Sequence, residues 1–271
     1  MSSSTGRSAV VVFGSNYIMQ LDAKPGVLFW TCVLAIDADG HPQCYHPQGS
    51  PPGLDHLANA GKPGNWWGVA TDNGKSNGIP VVQKQTDPAP GFLVSTTALI
   101  DAGWPSSNPL RYVNSGEVPY VVLPSIPRFS SKQTLGDLLM CFNNATGKFC
   151  WGIYADIGPA NKIGEGSMAL AEALGIKSDP KTGGTSKETI AMIYWPGSKV
   201  GWPRPIEELE LVAYKLFNDW GGYASCKAGL PQFNWDQFPP VPSLPPTPPS
   251  PTEIVVTVIA PPGVKVIVQQ P

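Results

Sequence analysis

The stretch from Lys148 to Ile176, KFCWGIYADIGPANKIGEGSMALAEALGI, carries two periodicities and two carboxylates that bear on function. Its first half alternates. Phe149, Trp151, Ile153 and Ala155 fall on one side and Cys150, Gly152, Tyr154 and Asp156 on the other, the two-residue period of a strand. Gly158 and Pro159 end that strand. Further on, Met168, Ala171 and Leu174 recur at helical spacing, and Gly175 supplies a C-terminal stop. Asp156 is therefore expected to leave the end of a strand and Glu165 to sit at the mouth of a helix, each with glycine nearby. A glycine beside a carboxylate leaves room for a bulky ligand, and loops carried on rigid elements are where sites tend to lie. The residues alone leave two readings open. Either the two acids form a site, or Glu165 complements the positive end of the helix and Asp156 caps a turn.

Outward from this stretch, composition sets the class. The chain has 271 residues, enough for one large domain or two small ones. Charged residues make up only 14%, while 29 glycines, 31 prolines and nine tryptophans point to a β-rich, loop-rich fold. A net charge of −2 without a Lys/Arg cluster argues against nucleic acid as a partner. No apolar run approaches the ~20 residues of a membrane helix. The start, MSSSTGRSAVVVFG, lacks the basic and apolar regions of a signal peptide. The five cysteines are an odd number without metal-ligand spacing, and His41, His46 and His56 form no ligand arrangement. No cofactor and no metal are implied. A hairpin turning at Asn144–Gly147 would set Cys141 opposite Cys150, as a disulfide or as two buried thiols.

Along the chain, residues 1–8 read as a leader, 9–238 as the main domain, 239–252 as a proline-rich linker and 253–271 as a short β-type tail. Val10–Phe13, Gly26–Ile36, Val118–Leu123 and Thr189–Trp195 read as strands, and Asn65–Asp72 with Ile79–Gln83 as a hairpin. Trp66 and Trp67 point to opposite faces, so at most one is core, and the other either packs at a rim or stacks on a sugar ring. Pro205 opens a helix in which Leu209, Ala213, Leu216, Phe217 and Trp220 recur at helical spacing, and Gly221 closes it. The turn Asp37-Ala38-Asp39-Gly40 begins like a calcium loop, but its glycine comes early and no glutamate follows at the far end.

The run ADIGPANKIGEGSMALAEALGI resembles the signature of glycoside hydrolase family 75, the chitosanase family: an Asp ending a G-x-(F/Y)-(G/A)-D strand, a short loop, then I-G-E-(A/G)-S. Ala35–Gly40, AIDADG, is similar to the family's early D-x-D-G, and Glu117–Pro124, EVPYVVLP, to its E-(V/I)-P strand. The three segments keep the family's order, and the resemblance covers about residues 10–222, closest to the bacterial branch. It implies an endo-acting glycoside hydrolase that cleaves chitosan by an inverting, two-carboxylate mechanism. Glu165 is expected as general acid and Asp156 as general base. Asp37, Asp39, Glu117, Tyr154 and Trp67 are expected to bind the polycationic polysaccharide, which is met outside the cell. Another amino sugar glycan as substrate, or a non-catalytic carbohydrate-binding module, is the alternative.

The fold expected from composition is mainly β (α+β). It is a closed or partly closed β-barrel, which removes exposed strand edges, with two or three peripheral helices. Similarity to other barrel glycosidases suggests six strands in a double-psi arrangement.

Overall fold

A computed structural model describes residues 6–13, 16–125 and 129–243. Most of the expected proline-rich linker and the whole expected tail lie outside the described residues. β1 (Arg7–Phe13), β2 (Asn16–Leu21) and β3 (Lys24–Cys32) form an antiparallel meander, so the chain is already in a strand within the segment expected as a leader. After β4 (Ala35–Asp37), a long loop-rich region carries only the two-residue strands β5 (Gly61–Lys62) and β6 (Asn65–Trp66) and isolated bridges such as Thr71↔Pro80. The hairpin expected over residues 65–83 is reduced to those bridges. Proline and glycine there deny the ladder its donors and its side-chain contacts.

The remaining strands are β7 (Tyr120–Pro124), β8 (Leu138–Asn143), β9 (Lys148–Gly158), β10 (Glu165–Ser167) and β11 (Ile190–Trp195). β7, β8 and β11 are buried at every position, as their unbroken apolar runs require of central strands. With β1–β4 they make one nine-stranded sheet in the order β1-β2-β3-β11-β8-β9-β7-β10-β4, parallel at β7/β9 and β10/β4 and antiparallel elsewhere.

This sheet is open, which corrects the expected closed barrel; β1 and β4 are its edges. The chain passes from β3 to β4 through Val33 and Leu34 alone, yet the two strands do not pair. The main-chain groups at that step are taken by other segments. Leu34 N–H donates to Thr185 Oγ1 at 2.9 Å, Thr185 N–H donates to the Leu34 carbonyl at 2.8 Å, and Ala35 N–H donates to the Gly164 carbonyl at 2.9 Å. No ladder there pairs β3 with the edge strand β4.

Among the described residues three α-helices flank the sheet: α1 (Met168–Ala173), α2 (Ile206–Trp220) and α3 (Gly222–Gly229). α2 buries Leu209, Ala213, Phe217 and Trp220 along one stripe and ends at Gly221, which adopts φ 107°. Among the described residues no helix is long and apolar enough to cross a membrane. The β8–β9 hairpin has the expected register, with Cys141 directly opposite Cys150, but all five cysteines are free and buried.

Phe142 anchors the packing of α2 and α3 on this hairpin. Its fully buried ring lies 5.4 Å from Phe217, 5.2 Å from Trp235 and 5.3 Å from Phe238. Phe142→Ala should therefore destabilise the fold by about 3–5 kcal/mol, read as a lowered midpoint in chemical denaturation.

Candidate active site

One extra residue in β9 sets the direction of Asp156. Tyr154 pairs with Val121 of β7, but Asp156 pairs with Val122, so Ala155 is a β-bulge. The bulge reverses the alternation, and Tyr154 and Asp156 point to opposite faces of the sheet. The sequence period places them on the same face, so the structure corrects that expectation. Tyr154 is only 3% exposed, and its hydroxyl donates to the Leu123 carbonyl at 3.3 Å. It is a core residue rather than part of a substrate surface. The carbonyl of Ala155 accepts the Leu99 N–H at 2.7 Å, and Asp156 Oδ1 accepts the Ala98 N–H at 2.8 Å, which docks residues 95–99 on the bulge.

Glu165 reaches the same face from the other side of β7. It lies in the short strand β10, not at the mouth of α1, whose N-cap is Ser167. Glu165 pairs with Val122 and with Ala35, so Asp156, Val122, Glu165 and Ala35 form one row across the sheet. Two strand spacings put the Cα atoms of Asp156 and Glu165 about 9–10 Å apart. Asp37, two residues beyond Ala35, faces the same way. Two glycines make the row possible. Gly164 adopts φ +80°, and a Cβ there would lie 2.1 Å from the Val33 carbonyl oxygen. A Cβ at Gly158 would lie 2.9 Å from Val122 Cγ1 and 3.9 Å from Glu165 Oε2. Lys162, in the loop before β10, pairs with Glu165 at 3.1 Å.

Asp37, Asp39 and Asp156 are each half-buried, and one oxygen of each comes within 4.8 Å of the others. Asp37 Oδ1 accepts the Asp39 N–H at 2.9 Å. Asp39 Oδ1 accepts the Tyr45 hydroxyl at 2.8 Å and the Ser95 hydroxyl at 3.1 Å, and the Tyr120 hydroxyl donates to the Asp39 carbonyl at 3.0 Å. Burial, then Asp39 and Glu165, push the Asp37 carboxyl well above the usual carboxylate range. Burial, then Asp156, does the same for Asp39 against the pull of Tyr45 and Ser95. Burial, then Asp37, raises Asp156 against the N–H groups of Ile157 and Ala98. Three carboxyls this close repel one another when ionised, which favours uptake of a proton by the cluster. The cluster offers one oxygen from each of three aspartates, and among the described residues no histidine or cysteine joins that set.

The structure thus brings together Asp37, Asp39, Asp156 and Glu165. Glu117 is exposed on the turn before β7 and acts on His41 instead. Trp67 is 62% exposed, with its Nε1 donating to the Asn59 carbonyl at 2.7 Å. It lines a hollow of about 230 Å³ with Thr96, Tyr112 and Trp66. Trp66 is buried, as expected for one of the pair. Tyr45, Ser95 and Ala98 were not singled out from the sequence. They come from loops without periodicity and join the site only through tertiary hydrogen bonds.

No family model matches this chain, and no curated protein is similar to it.

The raised carboxyls fix the sign of the pH dependence. Above the unfolded value of about 4, the folded chain binds more protons than the unfolded one, so stability falls as pH rises through that window. Asp37→Asn keeps the acceptor for Asp39 N–H and removes one charge. Its melting temperature should exceed the parent's at pH 8 by several degrees, about 2–4 °C per kcal/mol, with a smaller difference at pH 4.

Proposed function

We propose that the chain is a glycoside hydrolase of the family 75 type, cleaving chitosan within the chain, with Asp156 and Glu165 as its two working carboxylates. The observation that carries this reading is their placement. The bulge at Ala155 turns Asp156 onto the face that Glu165 occupies, one strand away on either side of β7. An inverting glycosidase needs its carboxyl groups about 6.5–9.5 Å apart so that a water fits beneath the sugar, and a two-strand Cα separation suits that gap.

In this reading Asp156 is the general base. Its Oδ1 is held by the Ala98 N–H, which leaves Oδ2 to take the proton from the attacking water. That water adds to the anomeric carbon as the glycosidic bond breaks. Glu165, which exchanges its contact with Lys162 for a proton from solvent before the step, gives that proton to the departing oxygen. Asp37 and Asp39 beside them make the site acidic. A chain of protonated glucosamine units is drawn to such a site, and the neutral acetylated polymer is not. Trp67, at the rim of the neighbouring hollow, offers an aromatic face for a further sugar ring. The substrate is too large to act on inside a cell, so the reading places the reaction outside it.

The test is reducing-end release from highly deacetylated chitosan. The parent should be active, and Asp156→Asn and Glu165→Gln should each lower kcat by about 10²–10⁴ with unchanged melting temperature. An inactive parent would move the reading to another amino sugar glycan. Full activity in both variants would show that Asp156 and Glu165 are not the working pair, and binding of chitosan without turnover in the parent would leave a carbohydrate-binding role.

A further inference from the structure

β10 holds Glu165 with very little ladder. The strand is three residues long and pairs with β7 at Glu165↔Val122 and Gly166↔Val121. Glycine stands on each side of Glu165, so neither neighbour has a side chain to fix the strand. The backbone also runs close to its surroundings. A Cβ at Gly166 would lie 2.7 Å from Leu170 Cδ2 and 2.9 Å from the Tyr120 carbonyl oxygen. The other side chain of β10 is that of Ser167, which is fully buried.

The Ser167 hydroxyl uses its whole hydrogen-bonding capacity. It accepts the Tyr120 N–H at 2.9 Å and the Leu170 N–H at 3.1 Å, and it donates to the Val118 carbonyl at 2.8 Å. A hydroxyl has one donor and two lone pairs, and all three are taken. The Tyr120 N–H stands where the next main-chain bond of the β7–β10 ladder would fall, so a side chain completes that ladder. Tyr120 in turn donates its hydroxyl to the Asp39 carbonyl at 3.0 Å, and Ser167 pairs with Asp37 of β4 on its other side.

We infer that Ser167 is a positioning residue, whose hydroxyl fastens β10 to β7 and to α1 and thereby sets the distance of Glu165 from Asp156 across Val122. The inference rests on the reading of Asp156 and Glu165 as the working pair. The geometry that pair needs is narrow, since the gap must admit one water, and a misplacement of about 1 Å can cost about a hundredfold in rate. The bland alternative is that Ser167 only caps α1 through the Leu170 N–H. A cap alone would change stability and leave turnover as it was.

Ser167→Ala takes a partner from the Tyr120 N–H, the Leu170 N–H and the Val118 carbonyl. In reducing-end release from highly deacetylated chitosan its kcat should fall about 10- to 100-fold, while KM changes by less than about threefold. Ser225 gives the control. It is also a buried serine, in α3, and its hydroxyl donates to the Trp220 carbonyl at 2.7 Å. Ser225→Ala should lower the melting temperature and keep the parent kcat. Ser167→Cys retains a weak donor and a weak acceptor, should fall between the parent and Ser167→Ala, and serves as the test if Ser167→Ala does not fold. A parent-like kcat in Ser167→Ala, or an equal loss of kcat in Ser225→Ala, would overturn the inference.

A second readout needs no turnover. In hydrogen exchange of the full chain, the amides of Tyr120 and of residues 165–167 should exchange at least about tenfold faster in Ser167→Ala, while those of β8 and β11 keep the parent rates. If only the amides of α1 speed up, Ser167 is a helix cap and the inference fails. A parent inactive on chitosan would sink the hydrolase reading and leave the placement of Glu165 by Ser167 to be judged by this exchange.

Discussion

One inserted residue, Ala155, governs the chemistry that this protein can carry. Without the bulge, Asp156 would follow Tyr154 into the core and leave Glu165 alone on its face of the sheet. With it, a carboxylate is delivered to the face that Glu165, Asp37 and the DADG turn already occupy. The bulge also frees the main chain to hold the segment from Ser95 to Leu99, which brings Ser95 against Asp39 and the Ala98 N–H against Asp156. A local departure from ladder geometry thus positions the acid and one of the loops that surround it.

The site works against the stability of the sheet that bears it. Half-buried carboxyls within 4.8 Å of one another repel when ionised, and the Tyr45 and Ser95 hydroxyls and the Ala98 N–H offset part of that cost. The rest of the molecule is built to tolerate it. β7, β8 and β11 are buried throughout, and α2 and α3 close over the aromatic cluster around Phe142. Rigidity from this core holds like charges close enough to share protons, an arrangement that a looser scaffold would relieve by moving them apart.

Much of this was legible before any coordinates. The two acids in ADIGPANKIGEGS are brought together, and the early DADG aspartates join them. The apolar run of EVPYVVLP is the central strand it promised, and the period of α2 names its buried face. The failures have a common cause. Strict alternation set Tyr154 on the side of Asp156, and an inserted residue reverses that. Glu117 stands on an exposed turn outside the carboxylate cluster. The closed barrel was expected from the need to hide strand edges, and hydrogen bonds from Thr185 and Gly164 at the Val33–Leu34 step leave the sheet open instead.

The sequence by itself determined the quantities that depend on near neighbours: the strand periods, the runs with no polar face, the helix stripe ending at Gly221, and the glycines that give Glu165 its room. Only the tertiary structure decided which strands pair, in what register, and therefore which side chains share a face. The reason is physical. A strand's period is local, whereas register is a contact between segments far apart in the chain, and a shift of one residue sends every later side chain to the opposite face. The meeting of Asp156 with Glu165, and of Asp39 with Tyr45 and Ser95, belongs to that second kind of information.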